Sequence, residues 1–141
     1  MSKLTNSRGI IVSVPNIVII MADQLAPQFL PDYGHHVVKT PNISRLAARG
    51  TVFDNAYTSS PLCAPARASF LAGMLCPDIN AFDNGAEFPA SVPTIAHYLR
   101  SLGYKTSLIG KMHCIGPDQL HGFEERLTTD IYPANFSWTA N

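Results

Sequence analysis

The sequence predicts an α/β fold, a mostly parallel sheet flanked by helices, and three stretches predict it. Asn16 to Met21, NIVIIM, is a continuous branched apolar run, the pattern of a strand covered on both faces. Ser91 to Leu102 repeats Val92, Ile95, Leu99 and Leu102 at helical spacing, with Pro93 in the first turn and Gly103 at the end. Tyr104 to Ile109 then reads as the next strand, so that strand and helix alternate as they do in parallel sheets.

From the N-terminus, residues 1–14 read as a leader or a first irregular segment. Gly9 to Met21 is apolar, but Pro15-Asn16 interrupts it and Asp23 closes it, and it is too short to span a bilayer. Ala22-Asp23-Gln24 lies beyond the carboxyl end of the first predicted strand, where open α/β sheets gather their ligands. Asp23 is a hard oxygen donor suited to Ca²⁺ or Mg²⁺; an aspartate after a strand also serves as a cap or turn residue.

Leu25 to Lys39 has Pro27, Pro31, Gly34 and the pair His35-His36 without a usable period, and reads as a surface loop with solvated histidines. Thr40 is placed to cap a helix that has Pro41 at its first position and Gly50 at its end. Thr51 to Tyr57 reads as a short strand leading into the most informative segment, Ser59 to Gly73, SSPLCAPARASFLAG.

Within that segment Pro65 suits the first turn of a helix, so Cys63 is expected at a helix N-terminus. Unpaired N–H groups and the positive end of the macrodipole favour an anion there, whether a thiolate or a bound oxyanion. Arg67 stands one turn further on; Ala66, Ala68, Phe70, Leu71 and Ala72 supply helical propensity and an apolar face, and Gly73 ends the helix. Cys76 to Pro89 reads as a loop in which Asn84 either makes an Asp-Asn-Gly turn or donates to an oxyanion. On the helix of residues 91–102, His97 and Arg100 fall on other faces and read as solvated. Gly110-Lys111-Met112-His113 leaves the carboxyl end of the last predicted strand, which places a cation and an imidazole on the rim that Asp23 and Cys63 occupy.

The charges balance, with ten Lys and Arg against ten Asp and Glu in 141 residues, and no basic run occurs. This argues against nucleic acid or an anionic membrane as the main partner. The three cysteines make no C-x-x-C pair, and an odd count fits reduced thiols in a cytoplasm better than a disulfide framework. Cys76 and Cys114 read as ordinary thiols.

The string around Cys63-Ala64-Pro65-Ala66-Arg67 resembles the active-site segment of the sulfatases, and Gly-Tyr-Lys-Thr-Ser-Leu-Ile-Gly-Lys-Met-His, residues 103–113, resembles their second segment. The resemblance implies an alkaline-phosphatase-like α/β domain. It also implies conversion of Cys63 to Cα-formylglycine, whose hydrate is the nucleophile, by formylglycine-generating machinery that reads the motif. It further implies that Arg67 orients the aldehyde, that Lys111, His113 and Asn84 contact the sulfate, and that Asp23 and residue 63 meet a divalent cation. Sulfatases usually carry a second aspartate where this chain has Gln24, whose neutral amide oxygen still suits Ca²⁺; Mg²⁺ and Mn²⁺ share the preference for oxygen.

IIMADQLAPQFLPD, AFDNGAEF and GKMHCIGPDQLHGFEERLTTDIYPANFSWT resemble the choline-sulfatase branch, which implies choline-O-sulfate as substrate and Trp138 in the choline pocket. A quaternary ammonium donates no hydrogen bond and is held by an aromatic face, although a sole tryptophan is also often a packed core residue. Residues 1–141 are accordingly expected to form the N-terminal portion of one catalytic domain that continues beyond Asn141, in an enzyme that assembles as a homo-oligomer. An arylsulfatase, a phosphonate monoester hydrolase and an inactive truncated remnant are the competing readings.

Overall fold

A computed structural model gives the structure of the chain and describes residues 3–5 and 11–128. These fall into two compact units, residues 18–57, and residues 58–128 grouped with the N-terminal hairpin. The hairpin pairs β1 (Lys3–Thr5) with β2 (Ile11–Ser13) antiparallel, with Leu4 opposite Val12. The first fourteen residues, expected as a leader or a first irregular segment, thus contain a short hairpin.

In the unit of residues 18–57 two prolines each start a 3₁₀ turn, Pro27–Phe29 and Pro31–Tyr33, and Gly34, at φ 93°, closes the second. α1 follows over Pro41–Ala47 with its proline at the start, as expected, but it stops short of Gly50. Thr40 precedes it without making a side-chain cap, and its hydroxyl is buried with no hydrogen-bond partner. The Ser44 hydroxyl donates to Asp32 Oδ2 at 2.9 Å and the Tyr33 hydroxyl to the Phe53 carbonyl at 2.9 Å. His35, expected to be solvated, accepts the N–H groups of Val37 and Val38 on Nδ1.

Two expected strands are absent from the described residues. Asn16 to Met21 and Thr51 to Tyr57 have no strand pairing, and Val18 and Ile20 are 78% and 86% exposed. A strand is held by the ladder of its neighbours and by what covers its faces, and the described residues offer these runs neither.

The unit of residues 58–128 contains a core. α2 runs over Cys63–Ala72, and Gly73, at φ 65°, ends it by donating to the Ser69 carbonyl at 2.8 Å. Its buried stripe is Ala64, Ala68 and Leu71, one face at helical spacing, while Phe70 points outward and is 46% exposed. Ala68 and Leu71 pack with Ile79, Ala81 and Phe88, and Val92, Met112 and Phe123 close over them. The expected loop of residues 76–89 opens with a 3₁₀ turn, Cys76–Ile79.

α3 covers Ile95–Ser101, shorter than the predicted 91–102, because Thr94 caps it. The Thr94 N–H donates to His97 Nδ1 at 3.0 Å and its hydroxyl donates to the His121 carbonyl at 2.6 Å. His97 is thus a half-buried capping residue rather than a solvated one; Arg100, exposed, donates to the Gly122 carbonyl at 3.3 Å. The predicted strand of residues 104–109 shrinks to β3 (Ser107–Leu108), paired parallel with β4 (Glu125–Arg126). No helix among the described residues is long and apolar enough to cross a membrane.

Candidate active site

The candidate site forms at the head of α2. Leu62 precedes the helix in an extended conformation and makes no side-chain cap, so the first N–H groups need acceptors from elsewhere. Asn84 supplies one: its Oδ1 accepts the Ala64 N–H at 3.0 Å and lies 3.3 Å from Cys63 Sγ. From the other side His113 Nδ1 approaches Cys63 Sγ to 3.2 Å. Cys63 is half-buried and His113 is 3% exposed, so the imidazole is shielded from bulk water.

Two backbone conformations aim His113. Gly110 takes φ 92° where the chain leaves β3, and its N–H is held by the Thr128 hydroxyl. His113 itself sits in the left-handed region at φ 58°, uncommon for a residue with a Cβ and a form of strain that clusters at functional sites. Met112 between them packs against the core and anchors the loop. Arg67, 6% exposed, donates from its guanidinium to the Lys111 carbonyl at 2.8 Å and ties α2 to this loop. Behind the helix head, Cys76 Sγ lies 3.3 Å from Ser59 Oγ and 3.5 Å from the Pro65 carbonyl, so this buried thiol packs beneath the segment that carries Cys63. Cys63, Cys76 and Cys114 are all free thiols.

The structure thus joins Cys63 to Asn84 and His113 through side-chain contacts, and joins Arg67 to the main chain at Lys111, two residues before His113. Asp23 and Gln24 belong to the other unit, where both are exposed. Trp138 lies outside the described residues. The supporting layer was missed by sequence reasoning. Its one sequence signal is Thr94-x-x-His97, which has the spacing of a capping box with histidine in the place of the usual acid or amide.

Under the loop that follows His113, His121 is fully buried, stacked on Phe88 with ring centroids 4.2 Å apart, and neither ring nitrogen makes a hydrogen bond. Burial pushes its imidazole below the ordinary histidine range, with His97 and Arg126 adding to the effect and Asp118, 3.7 Å away, opposing it. Burial by itself would raise the Asp118 carboxyl, but the N–H groups of His121 and Leu120, at 3.0 and 2.9 Å, hold it below its usual value.

The donors available for a metal fit a hard cation in kind but not in number. Asp23 and Gln24 carry oxygen donors, yet among the described residues no group of three or more His, Cys, Asp or Glu stands close enough to hold an ion. What the helix head can do chemically is hold an anionic or nucleophilic group on residue 63 beside a shielded imidazole.

The sulfatase family pattern matches residues 15–137, which span both this site and the Asp23 segment. The chain belongs to the sulfatase family. It is 61% identical over 125 residues to a choline-sulfatase of Rhizobium meliloti (strain 1021), covering 89% of this chain and 24% of that protein. It is 38% identical over 120 residues to an arylsulfatase of Clostridium perfringens (strain 13 / Type A), covering 84% of this chain and 25% of that one. Among solved structures, a protein in complex with its substrate D-glucosamine-2-N,6-O-disulfate superposes with a TM-score of 0.75 at 36% identity, over 79% of this chain and 22% of its own. The sulfatase chain described here thus has the α/β fold of that family and spans about a quarter of the length of the curated relatives it matches.

Proposed function

We propose that this chain is the N-terminal portion of the catalytic domain of a sulfuric ester hydrolase that cleaves choline-O-sulfate to choline and sulfate. The observation that carries the reading is the pairing of Cys63 Sγ with His113 Nδ1 at 3.2 Å, at the N-terminus of a helix and inside C-x-P-x-R. The choline ester is favoured over other sulfate esters by the 61% identity to a choline-sulfatase.

Converted to Cα-formylglycine by the cell's formylglycine-generating machinery, residue 63 supplies an aldehyde hydrate as nucleophile. The α2 N-terminus and Lys111 provide positive potential for the sulfate, and His113 holds a proton at the leaving oxygen. Arg67 keeps Lys111 and the helix head in register. Asn84 turns its amide oxygen to the helix and keeps its amide nitrogen for a sulfate oxygen. Trp138 is assigned to the quaternary ammonium of choline. Asp23, with Gln24 and residue 63, is assigned to a divalent cation, Ca²⁺ before Mg²⁺ or Mn²⁺; no step is assigned to the ion. The enzyme is read as cytoplasmic and homo-oligomeric.

Peptide mass spectrometry over residues 59–73, in a host that makes the modification, is expected to show the aldehyde in place of the Cys63 thiol. The same preparation is then offered choline-O-sulfate, an aryl sulfate and a phosphonate monoester. Preference for the choline ester supports the reading, preference for either of the others reassigns the substrate, and an unmodified thiol with no turnover leaves a non-catalytic remnant.

A further inference from the structure

We propose that Asn84 is a positioning residue for the nucleophile, acting through its amide oxygen on the head of residue 63; this rests on the reading of residue 63 as the nucleophile. The α2 helix begins without a cap of its own, since Leu62 has no side-chain acceptor to offer. The acceptor comes instead from 20 residues downstream, where Asn84 Oδ1 takes the Ala64 N–H at 3.0 Å. Because an N–H must face an acceptor, this contact fixes which end of the amide points at the helix: oxygen inward, nitrogen away.

The same oxygen lies 3.3 Å from Cys63 Sγ, which also faces His113 Nδ1 at 3.2 Å. The head of residue 63 is therefore held between a neutral acceptor and an imidazole, and its side-chain torsion is fixed by both. The turn that presents Asn84 is braced independently. The Gly85 N–H donates to Asp83 Oδ1 at 2.8 Å and the Ala86 N–H to the Asp83 carbonyl at 3.3 Å, so Asn84 itself is spared for the helix. A head group carrying hydroxyls offers Oδ1 a donor in the same direction, which makes Asn84 a selector of orientation as well as a cap. The contribution of Oδ1 falls on how the reacting atom is aimed, and that of the amide nitrogen on how tightly substrate is held.

Asn84→Ala removes the acceptor, whereas Asn84→Asp keeps it and loses the amide donors. In the protein carrying this chain, Asn84→Ala is expected to speed amide exchange at Ala64 roughly fivefold or more, while Leu71 and Ala72 keep their native rates. Asn84→Asp is expected to leave Ala64 protected. In turnover of choline-O-sulfate, Asn84→Ala is expected to lower kcat about 10- to 100-fold through loss of the oxygen, and to raise KM through loss of the amide nitrogen. Asn84→Asp is expected to recover most of kcat while raising KM, because a carboxylate repels the sulfate. The proposal is overturned by native exchange at Ala64 in Asn84→Ala, by a rise in KM with kcat intact in that variant, or by a kcat in Asn84→Asp as low as in Asn84→Ala. If the native protein turns over no sulfate ester, the functional reading above falls, and exchange at Ala64 alone decides whether Asn84 holds the helix head.

Discussion

Residues 18–57 and residues 58–128 contrast in what holds them. No residue of the first unit is fully buried, and its contacts are turns and single hydrogen bonds such as Ser44 to Asp32. The second unit has a core of Ala68, Leu71, Ile79, Ala81 and Phe88, and the candidate nucleophile and its neighbours sit on the helix and loop that this core supports. The difference teaches that the geometry around Cys63 is specified by contacts inside residues 58–128, whereas apolar runs in residues 18–57 are strands in pattern without the partners that would make them strands.

Leucine truncation is the strongest way to break this contrast. Leu71→Ala empties a core position that is 3% exposed and is expected to cost about 2–5 kcal/mol in denaturant unfolding. Leu46→Ala, at a position 65% exposed, is expected to cost less than about 0.5 kcal/mol. Equal costs would mean that the two units are held alike.

Glycine substitution sharpens it at constant backbone strain. Gly34 and Gly122 have similar positive φ, 93° and 89°, but an added Cβ meets nothing within 4 Å at Gly34 and lies 2.5 Å from His97 Nδ1 at Gly122. Gly34→Ala is expected to cost about 1 kcal/mol from the backbone alone. Gly122→Ala is expected to cost about 1–3 kcal/mol more, since His97 must leave the Thr94 N–H. Thermal unfolding of the two variants measures the gap.

A smaller effect is expected with pH. The buried His121 is harder to protonate folded than unfolded, so the unfolded chain binds more protons once the pH falls through the ordinary histidine value of 6.5, and stability drops there. Asp118, held below its ordinary value of 3.8, stays ionised in that window and adds its own loss only in stronger acid. His121→Phe keeps a ring against Phe88 and is expected to flatten the stability profile between about pH 7.5 and 5.5, whatever it does to absolute stability. A native slope in that variant would remove His121 as its origin.

Legibility in the sequence follows the same division. The helix over Cys63–Ala72 was readable because its signals are local: Pro65 in the first turn, small apolar residues behind it, Gly73 after it. The loop of Lys111 and His113 was readable from Gly110 and the strand expected before it. Asn16 to Met21 and Thr51 to Tyr57 were misjudged because pattern encodes what a strand would bury, while pairing depends on residues distant in sequence. Arg67 to Lys111, and Thr94 with His97 and His121, escaped notice for the related reason that each joins segments no periodicity connects. That Asn84 turns its oxygen to the Ala64 N–H is likewise a matter of which turn meets which helix head.

Residue 63 as the nucleophile is what every other proposed role at the site depends on. Hydrolysis of choline-O-sulfate by the protein carrying this chain, compared with its Cys63→Ala variant at equal folded concentration, tests it most directly. Loss of kcat by about 10³-fold or more is the expected result, and turnover within twofold of native would contradict the account.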